Sequence, residues 1–141
     1  SSTLNVIIAQ RLVRKLHGNK EKYKLNVSDL ENLEKYCDLK RILEILKEEK
    51  LVKPKQDLKD IEFFRPKPSK DSLSGYKGRI GIFEVLIVNE SIKELIIKKA
   101  STKEIKIQAI KDGMLTMVED GFIKAVKGLT SIEEVLRVII D

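Results

Sequence analysis

Hydrophobic and polar positions change their spacing several times along this chain. Residues 4–16, LNVIIAQRLVRKL, carry apolar side chains at 4, 6, 7, 8, 9, 12, 13 and 16 behind a Ser-Ser-Thr run. That density predicts a capped helix, apolar nearly all round at first and amphipathic where Gln10, Arg11, Arg14 and Lys15 enter. Residues 17–27 are polar and read as a loop. Ser28 with Glu31 makes a capping box, Val27 serves as its staple, and Leu30, Leu33 and Tyr36 follow at helical spacing. Asp38 opens a second helix, with Leu39, Ile42, Leu43 and Leu46 on one face until about Lys50. Residues 61–64, IEFF, read as a short strand, and 65–74, RPKPSKDSLS, as a loop with two prolines.

The segment Gly75 to Leu86, GYKGRIGIFEVL, joins a glycine-punctuated basic turn to a strand apolar on both faces, continuing through Ile87 and Val88. Glycines 75, 78 and 81 permit backbone conformations or approaches that a Cβ forbids, and a strand this apolar calls for cover on both sides. An S/T-x-x-E box then recurs at Ser91/Glu94, Ser101/Glu104, Thr116/Glu119 and Thr130/Glu133. These predict four short helices, with Gly113 and Gly128 as C-cap candidates just past two of them. Their apolar stripes should close a small helical subdomain over 89–141. The first helix and the strand after Arg79 both look made to pack against a sheet the chain does not supply.

Composition narrows the class. A chain that is 42% hydrophobic and 35% charged is globular, not disordered. Its +6 charge comes from lysines spread through most segments, which reads as solvated helix faces and not as a nucleic-acid or lipid footprint. Cys37 is the one cysteine, so no internal disulfide can form; among Leu33, Tyr36 and Leu39 it reads as a structural thiol. No apolar run is long enough to span a membrane and no signal-peptide pattern is present, giving a cytosolic character. The chain starts at Ser1 without methionine, which reads as a fragment. No G-x-x-x-x-G-K-[ST] loop, H-E-x-x-H, G-x-S-x-G or CxxC motif occurs. His17 reads as a helix-end residue and not as a base, so this chain alone should not hydrolyse ATP.

Five stretches carry a family resemblance: IAQRLVRKL at 8–16, GYKGRIGIFEVL at 75–86 with ELI at 94–96, DGMLTMVEDG at 112–121 and GLTSIEEVLRV at 128–138. In this order and spacing they resemble the carboxy-terminal region of the type II secretion and type IV pilus assembly ATPases, secretion traffic ATPases. The resemblance covers nearly the whole chain. It implies an α+β, mainly helical fold: the C-terminal fragment of a RecA-like α/β ATPase domain, contributing one long helix and a buried strand. An inserted helical region and a C-terminal small-helix subdomain complete it. The implied division is 1–16 as closing helix of the core, 17–74 as the inserted region, 75–88 as core strand and 89–141 as the helical subdomain.

The same resemblance implies a full-length ATPase that uses ATP and magnesium, assembled as a homo-hexamer. That enzyme lies peripheral to the inner membrane on its cytoplasmic side and passes nucleotide-driven motion to a membrane platform protein. Gly75, Tyr76, Gly78, Arg79, Gly81 and Glu84 fall on the family's motif. Arg11, Arg14 and Arg79 become candidates for the nucleotide edge or a subunit contact, because guanidinium forks suit phosphate and carboxylate; ordinary structural pairing is the competing reading for each. Glu84, a lone charge in an apolar strand, reads as a hydrogen-bonded pair and not as an acid or base. Zinc-bearing members place four thiolates where this chain has His17, Lys20 and, allowing one missing residue, Ser69 and Ser72. An ammonium cannot ligate and serine hydroxyls are poor donors, so no zinc is expected and the chain carries no cofactor of its own. Two other readings stay open. The helix pair at 28–50 followed by IEFF has the look of a basic winged helix that could bind DNA, although no face concentrates the side chains that read bases. A small autonomous adaptor domain is the other.

Overall fold

In the computed structural model, which describes residues 5–140, the first element is a strand. β1 runs Val6–Leu16 and pairs antiparallel with β4, Tyr76–Ile87, in a two-stranded ribbon. The expected helix over 4–16 is therefore corrected to a strand, and the Ser-Ser-Thr run lies outside the described residues. The run Val6-Ile7-Ile8 favours extended backbone because β-branched side chains pack well on a pleated surface. Pairing holds Val6 opposite Ile87 and Val13 opposite Ile80, with an irregularity between Arg14 and Leu16.

A second ribbon joins β2, Glu21–Lys24, to β3, Glu62–Arg65, with Tyr23 opposite Phe63. β3 fulfils the IEFF expectation, whereas β2 lies in the stretch read as loop. Its strand character comes from partners: the Tyr23 ring sits 6.5 Å from that of Phe63, and the Arg65 guanidinium lies 3.7 Å over Tyr23. Between these strands stand α1, Val27–Glu34, α2, Leu39–Glu48, and a single 3₁₀ turn at Leu58–Asp60. Asp38 caps α2 through the Arg41 N–H, as its position predicts. The cap of α1 is Asn26 with Asp29, two residues before the Ser28/Glu31 pair, which leaves Val27 exposed within the helix.

After β4 come α3, Glu90–Ile97, α4, Thr102–Lys111, α5, Met117–Val126, and α6, Ile132–Ile140. Ser101 and Thr116 cap α4 and α5 as read, the latter in a reciprocal box with Glu119. Asn89, not Ser91, caps α3, and Ser131 accepts from the Glu134 N–H at the start of α6, one residue beyond the Thr130/Glu133 pair. Gly113 and Gly128 take the left-handed backbone expected after α4 and α5, with φ of +105° and +77°.

The largest core draws on α1, α2 and β3 together with the last two helices. Leu33, Ile42, Ile45, Leu46 and Phe63 pack with Phe122, Ile123, Ala125 and Ile132. The Phe63 ring meets the edge of Phe122 at 6.1 Å and 88°, the geometry aromatic quadrupoles favour. Two smaller clusters fasten the ribbon: Val13, Ile82 and Val138 below, and Val88, Ile92 and Ala109 above. The architecture is thus α+β, with six α-helices and two small antiparallel sheets among the described residues.

Candidate functional site

The β1–β4 ribbon has two unlike faces. Residues opposite each other in an antiparallel pair share a face. Val13, Ile80 and Ile82 turn toward Met117, Val138 and Ile139, and Leu86 turns toward the α3–α4 cluster. The other face presents Val6, Ile8, Leu12, Phe83, Val85 and Ile87, which are 37–63% exposed. A single exposed isoleucine is unremarkable, but six large apolar side chains on one face of one ribbon form a patch of the kind that marks a contact surface. β4 was expected to be covered on both sides; among the described residues the second side is covered only in part.

The edges of the ribbon also differ. Main-chain groups alternate between the partner strand and the outside. On β4 two outward groups are occupied: the Phe83 N–H donates to Asp120 Oδ2 at 2.8 Å, and Lys124 Nζ donates to the Gly81 carbonyl at 2.8 Å. Lys124 also pairs with Asp120 at 2.7 Å and stands 4.6 Å over the Phe83 ring. Two side chains one turn apart on α5 thereby cover the middle of this edge. On β1 the outward residues by register are Ile8, Gln10, Leu12 and Arg14. Arg14 is closed off, since its N–H donates to Glu134 at 2.7 Å and its carbonyl accepts from Thr130 Oγ1 at 2.8 Å. Among the described residues, no hydrogen bond meets the outward groups of Ile8, Gln10 and Leu12. An open edge with apolar side chains and no proline or lysine over these positions is a template for a further strand.

At the base of the ribbon lies a carboxylate that sequence reading missed. Glu134 is 2% exposed and receives Arg14 through both its N–H and its Nη2, at 2.7 and 3.0 Å, and Arg137 through Nε and Nη2 at 3.0 Å each. Burial alone would raise its pKa, but the hydrogen bonds from Arg137 and Arg14 outweigh it and hold the carboxyl down at about 2. Arg14 also stacks 4.3 Å over Tyr76, whose hydroxyl hydrogen-bonds Ser131 Oγ at 2.6 Å. The signal for Glu134 is the Ser131-x-x-Glu134 spacing, overlaid on the Thr130/Glu133 pair.

The candidate arginines part company. Arg11 donates to the Val138 carbonyl at 2.8 Å near the end of α6, Arg14 grips Glu134 at its start, and Arg79 is exposed opposite Arg14 across the ribbon. Glu84 accepts the Met117 N–H at 3.0 Å and stands 4.0 Å from Lys106, a hydrogen-bonded role as read, and it does not pair with Arg79. In the glycine-rich turn, Gly75 and Gly78 have positive φ, +80° and +78°, and a Cβ at Gly75 would stand 2.7 Å from Pro66 Cβ. Cys37 is half-buried; burial, then Asp38, pushes its thiol up to about 11.

The four positions matching the zinc ligands do not fit that metal. Lys20 Nζ is committed to the Gly128 carbonyl at 2.6 Å. Ser69 Oγ accepts the Ser72 N–H at 3.2 Å, and Ser72 Oγ donates to the Tyr76 carbonyl. One imidazole, His17, remains, too few donors for a tetrahedral site. Among the described residues no group of three or more His, Cys, Asp or Glu side chains could hold a metal ion. No helix among them is long and apolar enough to cross a membrane.

Residues 1–137 match the family described as Type II/IV secretion system protein, and the chain belongs to that family. It is 39% identical over 142 residues to type II secretion system protein E of Xanthomonas campestris pv. campestris, an alignment covering 100% of this chain and 22% of that protein. It is 32% identical over 143 residues to type IV pilus assembly ATPase PilB of Pseudomonas aeruginosa, with the same 100% and 22% coverage. Against PilB of Thermus thermophilus it is 48% identical over 63 residues, 45% of this chain and 7% of that protein. The chain spans about a fifth of the length of the first two relatives. The family resemblance read from the sequence is borne out.

Proposed function

We propose that this chain is the C-terminal part of a hexameric ATPase that powers type IV pilus assembly or type II secretion. In this reading it packs between subunits, helps pass nucleotide-driven motion to an inner-membrane platform protein, and is not catalytic alone. The observation that carries the reading is the ribbon: its open β1 edge and six exposed apolar side chains suit the sheet and helices of an ATPase core supplied by the rest of the polypeptide. The division of the chain follows from this. Residues 6–16 and 75–88 complete the core as a strand pair, 17–74 form the inserted region, and the helices after residue 89 form the helical subdomain.

ATP and magnesium belong to the upstream part, and neither zinc nor nucleic acid is expected here. The surface of α2 mixes Lys40 and Lys47 with Glu44 and Glu48, which offers a phosphate backbone no single-sign stripe. All three arginines are exposed, and Arg79 is the one that suits a subunit contact or nucleotide edge, because Arg11 and Arg14 each donate to α6. The test compares MgATP hydrolysis by this chain with that of a polypeptide extended upstream to the length of the relatives. The extended protein should turn over and the short one should not. Arg79→Ala should lower turnover at least about tenfold with an unchanged melting temperature. Hydrolysis by the short chain, or an extended protein without any, contradicts the proposal.

A further inference from the structure

The corner where the metal does not fit is nevertheless tightly joined. Lys20 is half-buried just before β2 and touches two other parts of the fold. Its ammonium donates to the Gly128 carbonyl at 2.6 Å and stands 5.7 Å from the centre of the Phe64 ring on β3. Gly128 is where α5 turns toward α6, and its φ of +77° lets the turn present that carbonyl. A Cβ there would lie 3.2 Å from Lys20 Nζ and 3.3 Å from Phe64, so the lysine and ring fill the space a side chain would need. Beside it the Leu16 N–H donates to the Leu129 carbonyl at 3.0 Å.

The loop of 69–72 is held separately: the His17 N–H donates to the Gly75 carbonyl at 3.0 Å, and Ser72 is tied to Tyr76. Zinc on four thiolates would join 17–20 to 69–72. Here the stronger tie runs from 20 to 128, between the inserted region and the last two helices.

We propose that Lys20 is a metal-free latch that fastens the β2–β3 hairpin to the α5–α6 turn through the Gly128 carbonyl and the Phe64 ring. Lysine suits the task. Its stem covers the ring while the ammonium meets both the carbonyl dipole and the ring's negative face. The two acids of the β2–β3 hairpin are engaged elsewhere, Glu21 with Arg65 at 3.9 Å and Glu62 with Lys22 at 3.8 Å. A latch of this kind holds whatever the metal supply, and it is a one-residue change away from being lost.

The test is thermal unfolding of the 141-residue chain, with and without EDTA or added zinc, beside Lys20→Met and a control, Lys22→Met. The wild-type melting temperature should not move with EDTA or zinc. Lys20→Met should fall by about 4 °C or more and Lys22→Met by less than about 1 °C, since the latter breaks only an exposed pair. Amide exchange at Leu16 should quicken in Lys20→Met, because its bond to Leu129 adjoins the latch. Lys20→Met melting with the wild type overturns the proposal. So does a wild-type chain that carries about one zinc and loses stability in EDTA, a measurement that needs no variant to fold. Neither readout involves ATP hydrolysis, so the latch stands or falls apart from the motor reading.

Discussion

Glu134 and Arg14, 120 residues apart in sequence, are joined twice: the carboxylate takes the Arg14 main-chain N–H at 2.7 Å and its guanidinium at 3.0 Å. One side chain on α6 thereby both ends the open edge of β1 and fixes the arginine that stacks on Tyr76. Arg137 completes the clamp from the same helix.

The clamp sets an acid limit on stability. Glu134 is held at about 2 against an ordinary value of 4.5. A carboxyl depressed in the folded state stabilises above its ordinary pKa, and that contribution is lost as pH falls from about 4.5 toward 2. Glu134→Gln should cost about 2 kcal/mol at pH 7, a figure reduced for the half-exposed arginines. It should also flatten the stability profile in that acid window. Denaturant titrations at several pH values measure both effects.

α5 and α6 meet at a glycine. A Cβ on Gly121 would stand 2.5 Å from Val135 Cγ1. Both residues are buried, and overpacking of this kind costs about 1–3 kcal/mol. Gly121→Ala should lose that much in chemical unfolding, and Val135→Ala in the same chain should recover part of it by vacating the space.

The Cys37 thiol should be a poor nucleophile. With its pKa raised to about 11 and its Sγ donating to the Leu33 carbonyl at 3.2 Å, little thiolate forms near neutrality. Alkylation at pH 7.5 should run roughly a hundredfold slower than for an unperturbed thiol. A rate matching free cysteine would mean the α1–α2 junction opens readily.

On the ribbon's outer face, Ile8→Thr with Val85→Thr should change the stability of this chain by no more than about 1 kcal/mol, because Ile8 is 63% and Val85 41% exposed. The same pair should impair assembly of the upstream-extended protein, read by sedimentation. A large stability loss in the short chain would show that the patch already packs within it.

What the sequence disclosed follows from how local each signal is. α2, α4 and α5 were legible because Asp38, Ser101 and Thr116 each act on an N–H three residues away. α6 was misplaced by one residue because two boxes overlap there. β1 was misread because both of its faces are apolar, which hides the alternation of a strand, while Gln10, Arg11, Arg14 and Lys15 imitate the polar side of a helix. Its partner begins some sixty residues later, a pairing that no local pattern announces. β2 has little strand character of its own and exists through Tyr23, Phe63 and Arg65. Arg14 was singled out by its chemistry, but its partner Glu134 was not, since the contact spans nearly the whole chain. Lys20 was read only as a failed ligand; its carbonyl and ring partners become visible once the β2–β3 hairpin meets the α5–α6 turn.

The most direct test of the open ribbon is hydrogen exchange at the outward amides of Ile8, Gln10 and Leu12, measured in this chain and in the upstream-extended protein. These amides should exchange freely in the short chain, while those of Ala9, Arg11 and Val13, turned toward β4, stay protected. In the longer protein all six should be protected as a further strand closes the edge. Outward amides already protected in the short chain, or still open in the long one, would contradict an edge built to receive the rest of the polypeptide.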